Sequence, residues 1–428
     1  MPEYLKQSPL YNAESSEEVR RTVAEMLNAI ERGGSDSVRG YSRRLDSWDP
    51  RSFIVDQDAI ARAGDSLDDE LKAHIAFAQE QVKSFAEAQR ATLADLELET
   101  LPGVRLGHRH LAVENVGAYV PGGRYPMLAS AFMTIIPAKV AGVARVVAAA
   151  PPFQGAGIHP AMLYAIASSG ADEILCIGGV QALAAMAFGI EVAPVDMIVG
   201  AGNAYVAEAK RQLYGVVGID LLAGPTEIVV IADASADPEL VAADLLGQAE
   251  HGPTSPAVLI ATDRKLALKV LEHVDSLLAT WPTRDVAGQA WQAHGSVVVA
   301  DGPEEAIGLS DEIAPEHLEV QVAEDELDDY LSRLRNYGSL FLGSEATVAF
   351  GDKAAGPNHV LPTRRAARFT GGLWVGKYLR TCTYQHLTVE GTRQIAPAVE
   401  AICRAERFAG HAITATMRLQ RAAVQDTA

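Results

Sequence analysis

ARVVAAA at residues 144–150 is the first of four short apolar runs, and EILCIGG (173–179), DMIVGAG (196–202) and EIVVIAD (227–233) follow it. The segments that separate these runs are long enough to form helices. Alternation of buried strand and helix is typical of a parallel sheet that helices cover on both faces. The sequence therefore predicts an α/β domain around these runs.

A second series of apolar runs indicates a second, related α/β domain. PAVLIAT (256–262), GSVVVAD (295–301) and GSLFLG (338–343) repeat the same strand pattern. The first hundred residues and those from about 375 onward have helical patterns instead. The prediction is two Rossmann-like parallel-sheet domains, an N-terminal helical arm and a C-terminal helical tail that reaches a partner subunit. The two sheet domains cover residues 104–235 and 236–374, the arm covers residues 1–103, and the tail covers residues 375–428.

Composition excludes several classes of function. The chain has 428 residues, of which 48% are hydrophobic and 21% charged, as in an ordinary soluble globular protein. Its net charge of -19 repels phosphate backbones and anionic bilayers, so we expect no nucleic-acid or membrane partner. Cys176, Cys382 and Cys403 form no CxxC pair, which favours free thiols in a reducing compartment. The expected location is the cytoplasm.

Glu316 and His317 stand side by side between Pro315 and Leu318. Because the two groups differ in reference pKa, the imidazole can be a base near neutral pH while the carboxylate stays ionised. Residues that commonly bind metals occur in other parts of the chain. Together they indicate metal-assisted acid–base chemistry rather than simple binding.

Two segments supply candidate metal ligands. Gln248 and His251 are three residues apart at the end of a helical pattern, so their side chains share one face; alternatively, the helix dipole favours a histidine at this end. Asp352 lies in the glycine- and proline-rich loop GDKAAGPNHVLPT (351–363), where polar side chains can converge, although Asp is also an ordinary turn residue. This donor set suits Zn²⁺ or Mn²⁺. His411 is a further candidate ligand or a structural histidine.

Two glycine-containing turns are candidates for nucleotide binding. GAGNAY (200–205) follows a predicted strand and precedes a predicted helix, but it lacks the full GxGxxG pattern. AYVPGGRYP (118–126) could also approach a nucleotide. Both segments can equally be plain turns between a strand and a helix, so the pattern alone leaves the cofactor open.

Seven ordered segments resemble the histidinol dehydrogenase family over nearly the whole chain. They are AYVPGG (118–123), IPAKVAGV (136–143), GAGNAYV (200–206), AGPTE (223–227), QAEHG (248–252), APEHLE (314–319) and NHVLPT (358–363). Members of that family are homodimers that use zinc and NAD to oxidise a primary alcohol to a carboxylate through an enclosed aldehyde. The resemblance therefore implies a domain-swapped homodimer with shared active sites and a small-molecule alcohol as substrate.

The resemblance also implies a role for each matching residue. His317 would be the general base in both oxidations, and Glu316 would activate the water that hydrates the aldehyde. His359 would contact the substrate. The implied zinc ligands are Gln248, His251, Asp352 and, from the neighbouring subunit, His411. The implied NAD contacts are Tyr119, Gln181 and Asn203.

Three departures from the family pattern concern the substrate. Thr226 stands in AGPTE where serine is usual, the glycine loop PGGRYPMLASAFM is shifted around its Tyr-Pro, and Glu406-Arg407-Phe408 replaces Glu-Gly-Leu before His411. Arg407 would lie one helical turn from His411 on the same face, or else point to solvent. The substrate-binding candidates are Thr226, His359, Glu406 and Arg407.

An added arginine suits an anionic substrate better than histidinol, which carries an amine. The departures resemble the branch of the family that includes sulfopropanediol 3-dehydrogenases, which oxidise 2,3-dihydroxypropane-1-sulfonate to sulfolactate. We therefore expect a sulfonated or otherwise anionic diol, with L-histidinol, oxidised to L-histidine, as the alternative. A hypothesis of another class is a non-catalytic, metal-dependent small-molecule binding protein. The Glu316-His317 pair speaks against it, because binding alone needs no proton transfer.

Overall fold

The protein is described by a computed structural model that covers residues 2–9, 16–122 and 125–425. Positions 123 and 124 of the glycine loop lie outside the described residues. The chain divides into two compact units. Unit 1 comprises Met1–Gln89 and Val113–Tyr378, and unit 2 comprises Arg90–Ala112 and Leu379–Ala428.

Helices and strands alternate through most of unit 1, and the following bounds include those of unit 2. The strands are β1 (Glu3–Lys6), β2 (Leu96–Leu101), β3 (Val104–Ala112), β4 (Asn115–Tyr119), β5 (Arg145–Ala150), β6 (Glu173–Cys176), β7 (Met197–Val199), β8 (Gly218–Ile219), β9 (Ile228–Ala232), β10 (Ala257–Ala261), β11 (Gly295–Val299), β12 (His317–Gln321), β13 (Ser339–Leu342) and β14 (Leu379–Leu387). The helices are α1 (Ser16–Asp46), α2 (Gln57–Asp65), α3 (Asp69–Ala91), α4 (Leu128–Ala141), α5 (Pro160–Ser168), α6 (Gly179–Phe188), α7 (Ala204–Leu213), α8 (Pro238–Ala249), α9 (Arg264–Leu278), α10 (Arg284–His294), α11 (Pro303–Ile313), α12 (Leu327–Arg333), α13 (Val348–Lys353), α14 (Val389–Ala405) and α15 (Ala409–Gln425).

The first sheet of unit 1 is parallel, in the order β6-β5-β4-β7-β8. The chain starts this sheet at β4, continues to one side through β5 and β6, and then crosses to β7 on the other side. The carboxyl ends of β4 and β7 therefore flank a topological switch point, where open α/β sheets bind nucleotides. The predicted strands at 144–150, 173–179 and 196–202 all lie in this sheet.

The second sheet has the order β1-β11-β10-β9-β12-β13 and is parallel except for the edge strand β1. β9 was predicted in the first domain, which ended at residue 235, but it pairs with β10 and β12 in the middle of this sheet. A domain boundary drawn from the strand pairing therefore lies before β9. β12 was not predicted as a strand. Its sequence HLEVQ carries three polar side chains, yet all five residues are buried.

Both sheets are packed on apolar helices. All five residues of β9 and of β10 are buried, as expected for central strands that helices cover on both faces. α4 is apolar around its whole circumference and nearly all buried, which is typical of an internal helix. α1 consists of two helical segments joined at a kink, where Gly34 adopts a non-helical φ of 55°.

Unit 2 contains an antiparallel sheet with the order β14-β3-β2 and the helix pair α14 and α15. The prediction of helix from residue 375 onward is therefore wrong for Leu379–Leu387. LRTCTYQHL is rich in threonine and tyrosine, which favour strands, and it pairs with β3 along its whole length. No helix of the described residues is long and apolar enough to cross a membrane.

Candidate active site

Glu316 and His317 lie where the chain enters β12, after Ala314 ends α11 with a φ of 51°. Both side chains are almost fully buried. Because β12 pairs with β9, the pair lies beside Thr226 and Glu227, which immediately precede β9. The candidate site is thus built at the amino ends of two parallel strands, opposite to the carboxyl edge at which such sheets usually bind ligands.

Hydrogen bonds fix both members of the pair. The Thr226 hydroxyl donates to Oε2 of Glu316 at 2.5 Å, and the Glu227 amide donates to the same oxygen at 3.0 Å. Nδ1 of His317 lies 3.0 Å from the Glu227 carbonyl, which can only accept, so this nitrogen carries a hydrogen. A neutral His317 ring therefore has its lone pair on Nε2. That atom is buried, has no hydrogen-bond partner and lies 3.6 Å from Oδ1 of Asp352.

The environment shifts the acidities of the pair in a direction that the sequence did not suggest. Burial raises the pKa of Glu316 above its ordinary value. Burial by itself would lower the pKa of His317, but the charges of Glu316 and Asp352 outweigh it and raise that pKa. The two buried groups therefore hold a proton between them, and His317 is the more basic. The sequence predicted a neutral imidazole beside an ionised carboxylate. That prediction used reference pKa values and omitted the attraction between the two buried groups.

Gln248, His251 and Asp352, three of the four predicted metal ligands, line one cavity of about 550 Å³. Gln248 is in the last turn of α8, and His251 follows in the turn after that helix. The side-chain nitrogen of Gln248 donates to Thr226, so Thr226 links this residue to Glu316. Asp352 is in α13 on the other side of the cavity.

The donor chemistry of this cavity fits a divalent metal ion. Although burial opposes it, the interaction with His317 and the charge of Lys353 lower the pKa of Asp352, so its carboxylate is ionised. Desolvation lowers the pKa of His251 and favours the neutral imidazole that a metal needs. No group of three His, Cys, Asp or Glu side chains suited to a metal occurs within 2–9, 16–122 and 125–425. Of the three candidate ligands in unit 1, Gln248 offers an amide oxygen, so only His251 and Asp352 are of these types, and His411 belongs to unit 2.

His359 is anchored beside these residues. Its Nε2 lies 2.9 Å from the Ser130 hydroxyl on α4, and its Nδ1 lies 3.1 Å from the carbonyl of Asp352. Burial lowers the pKa of His359, so the neutral ring is favoured. Thr226 and His359, two of the predicted substrate-binding residues, are therefore both attached to the Glu316, His317 and Asp352 cluster.

The predicted NAD contacts lie at the carboxyl edge of the first sheet. Tyr119 ends β4, and its hydroxyl accepts a hydrogen bond of 3.1 Å from the Gly179 amide. Gln181 is buried in the first turn of α6; its nitrogen donates to Asp46 at 2.9 Å, whereas its oxygen has no partner. Asn203 follows β7, and its side-chain oxygen caps α7 by accepting from two backbone amides.

Glu406, Arg407 and His411 are in unit 2, and all three are exposed. Glu406 ends α14, and Arg407 has a φ of 63° in the turn before α15. The expectation that Arg407 and His411 share one face of a continuous helix is therefore wrong. The short link between the two helices forces a left-handed residue at this position, which the helical pattern on both sides concealed.

Comparison with known proteins identifies the family. A sequence model described as histidinol dehydrogenase matches residues 11–419. The chain belongs to the histidinol dehydrogenase family. It is 51% identical to a histidinol dehydrogenase homolog of Shouchella clausii, over 98% of this chain and 99% of that one. It is 48% identical to the sulfopropanediol 3-dehydrogenase of Ruegeria pomeroyi, over 98% and 96% of the two chains.

The fold agrees with that assignment. The crystal structure of histidinol dehydrogenase from Elizabethkingia anophelis superposes with a TM-score of 0.91 at 34% identity, covering 97% of this chain and 94% of the other. The chain is therefore an NAD-dependent oxidoreductase of this family that acts on CH–OH groups. The family carries out four-electron oxidation of an alcohol to an acid, is dimeric, and uses NAD and zinc.

Sequence reasoning did not single out Lys353, which lines the same cavity as the candidate ligands. Its position directly after Asp352 was the available signal. The same reasoning also missed Glu319 and Asp244, because the strand that buries Glu319 was not predicted. Asp244 is four residues before Gln248, and its carboxylate accepts from the Thr347 hydroxyl at 2.9 Å.

Glu319 and Asp244 connect three elements of the site. The fully buried Glu319 of β12 accepts a 3.0 Å bond from the Val348 amide at the start of α13. Gln321 donates to both carboxylates, at 3.1 Å to Glu319 and 2.9 Å to Asp244. Burial and the nearby charge of Asp244 raise the pKa of Glu319. The elements that carry His317, Gln248 and Asp352 are thus linked by two carboxyl groups, that of Glu319, whose protonated form is favoured, and that of Asp244.

Glu319→Gln is expected to make stability less dependent on pH. Because the pKa of Glu319 is raised on folding, the folded chain binds more protons than the unfolded chain between the ordinary and the raised value, and stability falls as pH rises through that window. Between about pH 5 and about pH 8, Tm should fall more for the parent than for Glu319→Gln. Glu319→Ala should lower the unfolding free energy by about 1–3 kcal/mol, because it removes the acceptor of the Val348 amide. Equal slopes of Tm against pH for the parent and Glu319→Gln would contradict the raised pKa of Glu319.

Proposed function

We propose that the protein oxidises 2,3-dihydroxypropane-1-sulfonate to sulfolactate in two successive NAD-linked steps through a bound aldehyde. This choice of substrate rests on 48% identity to the relative named sulfopropanediol 3-dehydrogenase, against 41–42% to relatives named histidinol dehydrogenase. L-Histidinol, oxidised to L-histidine, is the second candidate, because histidinol gives the family its name. 2,3-Dihydroxypropane-1-sulfonate carries a negative sulfonate, whereas L-histidinol carries an amine. Rates with the two alcohols therefore distinguish the two candidate functions.

The observation that carries the proposed chemistry is the unpartnered, buried Nε2 of His317. In the neutral form of the ring this atom accepts the hydroxyl proton in each oxidation, while Nδ1 keeps the ring oriented through its bond to the backbone. Glu316 accepts a proton from the water that adds to the aldehyde, and Thr226 holds that carboxylate in place. His359 contacts the substrate. NAD, when bound, would supply the hydride acceptor for each step.

The proposed zinc ligands are Gln248, His251 and Asp352, together with His411 of the partner subunit. The support is that the first three line one cavity and have an amide oxygen, an imidazole nitrogen and a carboxylate as donors. When bound, the ion orients the substrate hydroxyl and lowers the pKa values of the groups around it through its positive charge. The protein side contributes an ionised Asp352 and a neutral His251, as described above.

The proposed assembly is a domain-swapped homodimer in which unit 2 reaches the partner's active site. His411 is exposed on α15, and the neighbouring apolar side chains of Phe408, Ile413 and Met417 are 56%, 57% and 62% exposed. Exposed apolar side chains of this kind are typical of an interaction surface. Glu406 and Arg407 would enter the same shared site. The cytoplasm is the proposed location.

The proposed NAD site is the carboxyl edge of the first sheet. Tyr119 and Asn203 are on the two sides of the switch point between β4 and β7, and Gln181 follows β6. The unpartnered oxygen of Gln181 is buried, so a hydroxyl or amino donor of the nucleotide would satisfy it. This division assigns the cofactor mainly to the first sheet and the metal to residues of the second.

Initial rates with zinc-loaded protein and NAD test the proposal. 2,3-Dihydroxypropane-1-sulfonate and L-histidinol are compared at equal concentrations, with NADH followed by absorbance. We expect faster oxidation of the sulfonate and formation of two NADH per alcohol consumed. Faster oxidation of L-histidinol would support the second candidate. If none of the alcohols reduced NAD, the non-catalytic binding protein would be the better description.

Arg407→Ala is expected to raise KM for the sulfonate about threefold to fivefold, because an exposed charge pair contributes little free energy. KM for L-histidinol should stay the same. Arg418→Ala, an exposed arginine on α15, is the matched control. If both substrates responded equally to Arg407→Ala, this arginine would not be an anion contact.

A further inference from the structure

Lys353 is a cation at the candidate active site to which the reaction assigns no role. We infer that its ammonium group binds the anionic end of the substrate and so selects sulfonated over neutral or cationic alcohols. The inference rests on the proposed function and names the residue that determines its substrate class. Two observations carry it: the position of Lys353 in the cavity and its lack of an ion pair.

The position of Lys353 connects it directly to the proposed metal ligands. It ends α13, one residue after Asp352, and it lines the cavity that Gln248 and His251 also line. The cavity volume of about 550 Å³ is in the range typical of small-molecule sites. A three-carbon alcohol held near Asp352 and His251 is short, so the far end of the molecule stays within this cavity.

Lys353 lines the same cavity as Gln248, His251 and Asp352. An anion in that cavity would be attracted to the positive charge of Lys353.

No carboxylate of the described residues lies within ion-pair distance of Lys353, although the cavity contains other acids. These acids have their own partners. Glu250 accepts from the Thr283 hydroxyl at 2.7 Å, and Asp244 accepts from Thr347 and Gln321. Asp352 faces His317 and the proposed metal. The ammonium of Lys353 is therefore available to a ligand.

The sign of this charge distinguishes between the candidate substrates. A sulfonate accepts charge-assisted hydrogen bonds from an ammonium group, which are stronger than neutral ones. L-Histidinol carries an amine, and a like charge beside Lys353 would disfavour its binding. Carboxylate and phosphate share the charge of a sulfonate, so the class of ligand is a short alcohol with an anionic end.

The test measures the ratio of kcat/KM for two alcohols of the same shape. One is 2,3-dihydroxypropane-1-sulfonate, and the other is its neutral methyl sulfone, 3-(methylsulfonyl)propane-1,2-diol. Because both alcohols are assayed on the same zinc-loaded preparation, any difference in active fraction cancels in the ratio. The variants are Lys353→Met, Lys353→Arg and, as a matched control, Lys269→Met on the exposed side of α9.

Lys353→Met is expected to lower the sulfonate-to-sulfone ratio about threefold to tenfold, chiefly through KM, because the lost charge-assisted hydrogen bond comes from an exposed side chain. Lys353→Arg should restore most of the ratio, and Lys269→Met should leave it unchanged. A parent enzyme that oxidises the sulfonate while Lys353→Met keeps the same ratio would overturn the role of Lys353 alone. A parent enzyme that reduces no NAD with the sulfonate would overturn the proposed function instead.

Discussion

Replacing His317 by alanine is expected to lower kcat at least about a hundredfold for the alcohol and for the aldehyde, the typical contribution of a positioned general base. The alcohol would keep its proton, because the buried Nε2 of His317 is the acceptor of the proposed reaction. The measurement is NADH formation from each compound supplied separately. Zinc content should stay near that of the parent, since His317 is not among the proposed ligands.

Two controls make the result specific. His74→Ala removes a histidine whose side chain is 74% exposed on α3, and it should not alter kcat. His317→Asn keeps a side-chain donor for the Glu227 carbonyl and should be as inactive as the alanine variant if the base is what matters. Turnover within about tenfold of the parent in either His317 variant would mean that another group is the base.

Glu316→Gln is expected to impair aldehyde oxidation by about a hundredfold and alcohol oxidation much less. Only the second step consumes water, and an amide cannot accept a proton from it. The side-chain oxygen of glutamine can still accept from Thr226 and from the Glu227 amide, so the local structure should be retained. Single-turnover NADH formation with the alcohol isolates the first step, and assays with the aldehyde isolate the second.

Equal losses in the two half-reactions would count against water activation by Glu316. Thr226→Val serves as a matched variant, because it removes the hydroxyl that holds the carboxylate and leaves the carboxylate itself. It should affect the same half-reaction as Glu316→Gln, but to a smaller extent. The effect should be smaller because Thr226→Val removes only a hydrogen bond to Glu316, whereas Glu316→Gln removes the proton acceptor itself.

Several elements could be predicted because their residues carry local information. The runs at 144–150, 173–179 and 256–262 are continuous and apolar, and each is a buried strand. The strand that carries His317 was not predicted, because its polar residues are buried only through pairing with β9 and β13. β14 was missed for a related reason, since its partner β3 is far away in sequence.

Candidate site residues depended on tertiary structure in the same way. Gln248, His251 and Asp352 could be named from their chemical types and from family resemblance, and the fold places them around one cavity. The acidities of Glu316 and His317 could not be inferred from reference values, because burial and mutual charge shift both. Lys353 is unremarkable in the sequence and becomes informative only beside the cavity.

The sequence by itself determined the α/β class, the family and the chemical types at the site, because strand patterns and motifs are properties of contiguous residues. Only the tertiary structure decided that β9 joins the second sheet, that the site forms at the amino ends of β9 and β12, and that Nε2 of His317 is buried without a partner. These features depend on which distant segments pair and how deeply they bury charged groups. Pairing and burial are set by the packing of the whole chain, which no local pattern records.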